Sequence, residues 1–167
     1  MATDWGEVYR ATYRELVGFL HRKVWDEDRA RDLAQEAFTR ALGSDPENPR
    51  AWIFRVAVNL ARDEARLVIR RKRHLALLRN EEEGRSAPPP TEALERDQRM
   101  ERVRAALETL GERDREALLL WDAGLDYGEI AEQLGLARGA VGTTLSRARQ
   151  RLVSAHAALE ETNAARG

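Results

Sequence analysis

The chain has 167 residues, of which 34% are charged and 43% hydrophobic, with a formal net charge of −1. That length fits one medium domain or two small ones, and the balance is that of a soluble globular chain with a highly charged surface. It has no cysteine, which excludes a disulfide framework and thiolate metal sites. No apolar run approaches the roughly 20 residues that span a bilayer.

Met1-Ala-Thr-Asp-Trp5 lacks the basic start and apolar stretch of a signal peptide, so a cytoplasmic location without membrane insertion is expected. Tyr9, Tyr13, Leu16 and Leu20 then fall on one helical face. Ala30, Leu33, Ala34, Ala37, Phe38 and Ala41 form a second, which Gly43-Ser44-Asp45-Pro46 breaks. Asn48 reads as an N-cap with Pro49 at the first helical position. Trp52, Val56 and Leu60 make a third face, and its pattern decays near Arg70. Residues 79–93 contain Glu81-Glu82-Glu83-Gly84 and Pro88-Pro89-Pro90. This composition cannot build a core, so it reads as a flexible acidic and proline-rich linker.

Four helical signals follow. Val103, Ala106, Leu107 and Leu110 make one stripe, and Leu118 to Trp121 is dense enough to be mostly buried. Asp126 and Glu129 have capping-box spacing ahead of Tyr127, Ile130, Ala131 and Leu134, and Gly135 stops that helix. Val141, Leu145, Ala148 and Leu152 line the last helix. The fold class is therefore all-α, with two small helical domains at 1–78 and 94–160, a linker at 79–93 and a tail at 161–167.

Positive charge is localised despite the balanced total. Residues 133–159 contain no Asp or Glu but include Arg138, Arg147, Arg149 and Arg151. A second cluster is Arg70-Arg71-Lys72-Arg73, preceded by Arg62 and Arg66. Residues 126–145 have helix-turn-helix grammar, in which the second helix enters the major groove with its N-terminal residues at base edges. That points Arg138, Gly139, Gly142, Thr143, Thr144 and Arg147 toward DNA, and leaves Arg149 and Arg151 for phosphates. The same pattern suits a helical hairpin with a solvated basic face. The acid-free stretch on the recognition helix favours DNA.

Three segments of the second half carry a resemblance: Leu110-Gly-Glu-Arg-Asp-Arg-Glu-Ala-Leu118, Tyr127-Gly-Glu-Ile-Ala-Glu-Gln-Leu-Gly135 and Leu145-Ser-Arg-Ala-Arg-Gln-Arg-Leu152. They resemble the promoter-binding domain of extracytoplasmic-function sigma factors. Asp32-Leu-Ala-Gln-Glu-Ala-Phe-Thr-Arg-Ala-Leu42 resembles their polymerase-binding helix, and Ala51-Trp-Ile-Phe-Arg-Val-Ala-Val-Asn-Leu-Ala61 their promoter-melting helix. The resemblance implies docking on core RNA polymerase through Asp32, Gln35, Glu36 and Thr39. It implies opening of the −10 element by Asn59, which bonds a base edge in both directions, over a floor of Arg62, Arg66, Arg70, Arg71, Lys72 and Arg73. The helix-turn-helix would hold the −35 element, and an anti-sigma factor would control the chain. Neither a cofactor nor a metal is expected.

Two departures bear on promoter choice. Gly142 and Thr144 stand where the family often has basic residues, and Val58 where it often has a polar one. Asn59 equally suits a satisfied polar residue, and Trp52 beside Val56 suits core better than base stacking. An enzyme is disfavoured, because His21, His74 and His156 are far apart with no carboxylate or cysteine at ligand spacing. The stronger rival, a helix-turn-helix regulator that never meets polymerase, would carry a sensor or dimerisation domain in the first 75 residues.

Overall fold

The computed structural model describes residues 2–78 and 92–166. They form seven helices and, among the described residues, no strand. The helices divide into two compact units, Met1–Glu82 and Glu83–Gly167. Most of the expected linker, residues 79–91, lies outside the described residues, and its last two positions already belong to a helix.

In the first unit, α1 (Trp5–Val24), α2 (Glu27–Ala41) and α3 (Pro49–Leu78) pack on one another. Each start is capped by a side chain that satisfies an amide with no partner inside the helix. Asp4 accepts from the Glu7 amide at 3.0 Å, Asp26 from that of Arg29 at 2.9 Å and Asn48 from that of Ala51 at 3.0 Å. Pro49 sits at the first helical position as its fixed φ and missing N–H favour. The chain before α1 is strapped to the loop after α2. The Trp5 indole donates to the Ser44 carbonyl at 2.9 Å, and Thr3 bonds Asp45 through its amide and hydroxyl.

The α2 stripe is buried as its spacing requires: Ala30, Leu33, Ala34, Ala37, Phe38 and Ala41 all face inward. On α1 the buried residues include Leu16, Phe19 and Leu20, while Tyr9 remains partly open, stacked on Tyr13 and edge-on to Phe38. The α3 face differs from expectation. Ile53, Phe54, Ala57, Val58, Leu60 and Ala61 are buried, whereas Trp52 and Val56 are only half-buried. The reason is that α3 contacts both α1 and α2, so its buried arc is wider than one stripe and is centred on Phe54 and Ala57. Trp52 leans on Trp5 at the rim, with ring centroids 5.6 Å apart. Past Ala61 burial fades, yet the helix runs on to Leu78 with Leu67, Val68, Ile69 and Leu75 exposed.

The second unit holds α4 (Glu92–Glu108), α5 (Glu112–Asp122), α6 (Tyr127–Leu134) and α7 (Arg138–Ala164). Both α4 and α5 pack on α7, as does α6. The capping box at α6 is complete: the Glu129 amide donates to Asp126 at 2.9 Å, and the Glu129 carboxylate accepts from the Asp126 amide at 2.8 Å. Gly135 ends α6 at φ 63°, a left-handed conformation that costs a Cβ-bearing residue most. Three residues later α7 begins, which is the tight turn of a helix-turn-helix. Ile130, Ala131, Val141, Leu145 and Ala148 close the core against Leu119, Leu120 and Leu125. The dense run at the end of α5 is buried at Leu119 and Leu120, but Trp121 turns outward.

Candidate nucleic-acid and polymerase interfaces

The four residues expected to dock on polymerase recur at i, i+3, i+4 and i+7 on α2, so they share one strip beside the buried stripe. Asp32, Gln35 and Thr39 are exposed, and Glu36 is half-exposed and paired with Arg40 at 2.5 Å. Gln35 and Thr39 also line a shallow groove of about 400 Å³ whose floor includes Tyr9 and Phe38. Leu42, at its edge, is 68% exposed. The apolar part of this surface was missed in the sequence, because Leu42 lies one residue past the end of the α2 stripe, beside the break at Gly43-Ser44-Asp45-Pro46.

Cations on α3 are sorted by helical phase. Asn59 is exposed between buried Val58 and Leu60, and Arg62, Arg66, Arg70 and Arg73 follow it at i+3, i+7, i+11 and i+14, on one strip. Arg71 and Lys72 project to other sides of the same helix. Arg71 falls on the side of Glu64, and its charge helps hold that carboxyl ionised.

Glu64 ties α3 to α2. Arg29 on α2 donates to it twice, Nε to Oε1 at 2.7 Å and a terminal nitrogen to Oε2 at 2.6 Å. The same guanidinium lies 3.8 Å from Asp32. The hydrogen bonds from Arg29 hold the Glu64 carboxyl below the usual carboxylate range, against partial burial, and Arg29 is raised by the same bonds. A depressed carboxyl stabilises the fold fully above its unfolded pKa and loses that contribution as pH falls through the folded value. Because the pair is partly solvated, its worth is about 1 kcal/mol. The first unit is expected to keep that amount at neutrality and lose it as pH falls through and below the usual carboxylate range. Glu64→Gln should flatten this part of the pH profile in urea melts, and an unchanged slope would refute the assignment.

On α7 the expected duplex-facing residues do not all face the same way. Arg138, Gly139, Thr143 and Arg147 are exposed, and Gly142 is half-buried at the flank. Thr144 is different: it is only 5% exposed, packed on the arc of Val141, Leu145 and Ala148, and its hydroxyl donates to the Ala140 carbonyl at 2.9 Å. Its position i+3 from Val141 carried that signal. Arg151 is likewise engaged, bonded at 2.5 Å to Asp114 on α5, so it bridges two helices of the unit. Arg149 lies over the Trp121 ring, 5.7 Å from its centroid. Among the described residues no group of His, Cys, Asp or Glu could hold a metal ion, and no helix is long and apolar enough to cross a membrane.

Comparison with known proteins separates the same two units. Residues 8–73 match the sigma-70 region 2 family, and residues 100–152 match sigma-70 region 4. The ECF RNA polymerase sigma factor EcfG of Rhodopseudomonas palustris is 35% identical over 137 residues, which cover 75% of this chain and 70% of that protein. The RNA polymerase sigma factor YlaC of Bacillus subtilis is 29% identical over 157 residues, covering 87% of this chain and 88% of that one. Among solved structures, CnrH in complex with the cytosolic domain of CnrY aligns with a TM-score of 0.65 at 25% identity, over 90% of this chain and 85% of that one. With region 2 on the α1–α3 unit, region 4 on the helix-turn-helix unit and relatives matched across both, the chain belongs to the extracytoplasmic-function (ECF) sigma factors of bacterial RNA polymerase.

Proposed function

We propose that this chain binds core RNA polymerase through the Asp32–Thr39 strip of α2 and directs promoter-specific initiation, with the first unit opening the −10 element and the second gripping the −35 element. One observation carries the reading most directly: a polar strip on α2 and a strip of Asn59 and four arginines on α3 belong to one packed unit, bridged by Arg29 and Glu64. A polymerase-bound factor that traps an unpaired base needs a docking face and a cationic nucleic-acid face held in fixed relation. Asn59 supplies the donor and acceptor for a base edge, and Arg62, Arg66, Arg70 and Arg73 the phosphate contacts. On α7, Arg138, Gly139, Gly142, Thr143 and Arg147 form the duplex-facing set, with Thr144 left to the core.

The chain supplies specificity and the polymerase the chemistry, so it is not itself an enzyme. It acts in the cytoplasm, where its polymerase and promoter are. An anti-sigma factor controls it. The likeness to CnrH, solved with the cytosolic domain of CnrY, supports that partner class.

The test is transcription by core polymerase with this chain on sheared genomic DNA, followed by mapping of start sites. A discrete set of starts sharing upstream elements, absent with core polymerase alone, is the expected result. Failure of the chain to co-elute with core polymerase at low salt would refute the proposal.

A further inference from the structure

The helix α3 leaves the core of the first unit at one identifiable point. Ala61 is buried, Arg62 and Glu64 are half-buried, and every residue from Ala65 to Leu75 is exposed. Glu64 is thus the last residue before this stretch stands open to solvent. There Arg29 of α2 holds its carboxylate by two hydrogen bonds, at 2.7 and 2.6 Å. A planar guanidinium that meets a carboxylate at two points fixes direction as well as distance. Around the α3 axis, Glu64 points about 160° away from Arg66. It therefore holds the helix from behind the strip of Asn59, Arg62, Arg66, Arg70 and Arg73 and is no member of it. The remaining terminal nitrogen of Arg29 lies 3.8 Å from Asp32, on the docking strip, and the charges of Asp32 and Glu36 both act on this guanidinium. Arg73 stands nine residues beyond Glu64, roughly 14 Å along the axis. A bend of about 10° over that length is of the gentle kind long helices take, and it would carry Arg73 sideways by about 2 Å.

Resting on the docking and −10 reading above, we propose that Arg29 and Glu64 are positioning residues for promoter opening: their two-point bond sets the lean of the outer half of α3 against α2, so that a chain docked through α2 presents its arginines where the opened strand lies. Neither residue touches the polymerase or the DNA. The buried arc of α3 decides which way the cations face, and the bond to α2 decides how far the helix leans. Losing it leaves docking and the cation count intact but lets the far arginines drift from the strand. A role of charge alone makes a different prediction. Removing the Glu64 carboxylate adds net positive charge to α3, which by itself favours nucleic acid.

The test uses the full chain with core polymerase and a promoter fragment taken from the mapped start sites. Docking is read as the affinity for core polymerase, and opening as the rate of strand separation at saturating holoenzyme. Glu64→Gln and Arg29→Gln are each expected to slow opening about tenfold, the scale of a displacement of an ångström or two at a reacting group. The double variant should be no slower than either single one, as for two halves of one contact. Affinity for core polymerase should stay within about twofold, which also reports that the unit is folded. Faster opening by Glu64→Gln would overturn the proposal and assign the carboxylate a role of charge alone. Equal loss of docking and opening would also overturn it, by making the pair a support of the whole fold, and so would additive losses in the double variant. If the unaltered chain neither docks nor opens DNA, the functional reading itself fails and this role with it.

Discussion

Phe54→Ala is expected to destabilise the first unit by about 3–5 kcal/mol, the usual cost of emptying a fully buried aromatic site. Phe54 has no solvent exposure. It packs edge-on against Phe19 at 5.5 Å, and Arg50 lies over its ring at 5.4 Å. Neither neighbour can collapse into the space, because one is anchored on α1 and the other points to the surface. A helical unit of this size has about 4–12 kcal/mol in total, so the variant should be partly unfolded at room temperature and fail to bind polymerase. Urea melts can separate the units by fluorescence, since Trp5, Trp25 and Trp52 belong to the first and Trp121 to the second. The early transition should move and the Trp121 signal should not. A midpoint unchanged for both would show that Phe54 is not at the centre of the core.

Asp32→Lys should leave the fold intact and weaken core-polymerase binding by roughly 30-fold, the scale of a central interface residue with its charge reversed. Asp32 is exposed, and Arg29, 3.8 Å from it, has a stronger bidentate partner in Glu64. A change at such a position moves folding stability by about 0.5 kcal/mol or less. Equal binding by Asp32→Lys in a competition assay for core polymerase would remove α2 from the docking surface.

What was legible in the sequence was chiefly local. The Asn48–Pro49 start, the Asp126–Glu129 capping box and the Gly135 stop are short-range hydrogen-bond and backbone devices, and each forms at its expected position. The α2 stripe was equally plain, because Ala30, Leu33, Ala34, Ala37, Phe38 and Ala41 recur at i, i+3, i+4, i+7, i+8 and i+11 and all are buried. What escaped the sequence depended on partners far along the chain. The α3 core is centred on Phe54 and Ala57 because two helices press on it, and one-dimensional periodicity does not say how many neighbours a helix has. Arg151 looked like a free cation, yet Asp114, 37 residues earlier, holds it. Trp121 ends an apolar run and still faces out, because Leu119 and Leu120 take the inward arc. Thr144 was the avoidable miss, since its spacing from Val141 and Leu145 already put it inside.

The unbroken course of α3 has a consequence for how such a factor tolerates change. Its 30 residues form a rod about 45 Å long, rooted in the core at one end and carrying cations at the other. In a rod of this kind, angular setting is inherited from the root. Deleting one residue between Ala61 and Arg70 would swing every later cation by about 100° around the axis, while shortening the reach by only about 1.5 Å. Point substitutions along the outer turns are cheap, but insertions and deletions are not, unless they come in sevens, which return the arginines to within about 20° of their bearing. The segment thus has the sequence freedom of a solvent-exposed surface and the length rigidity of a gauge.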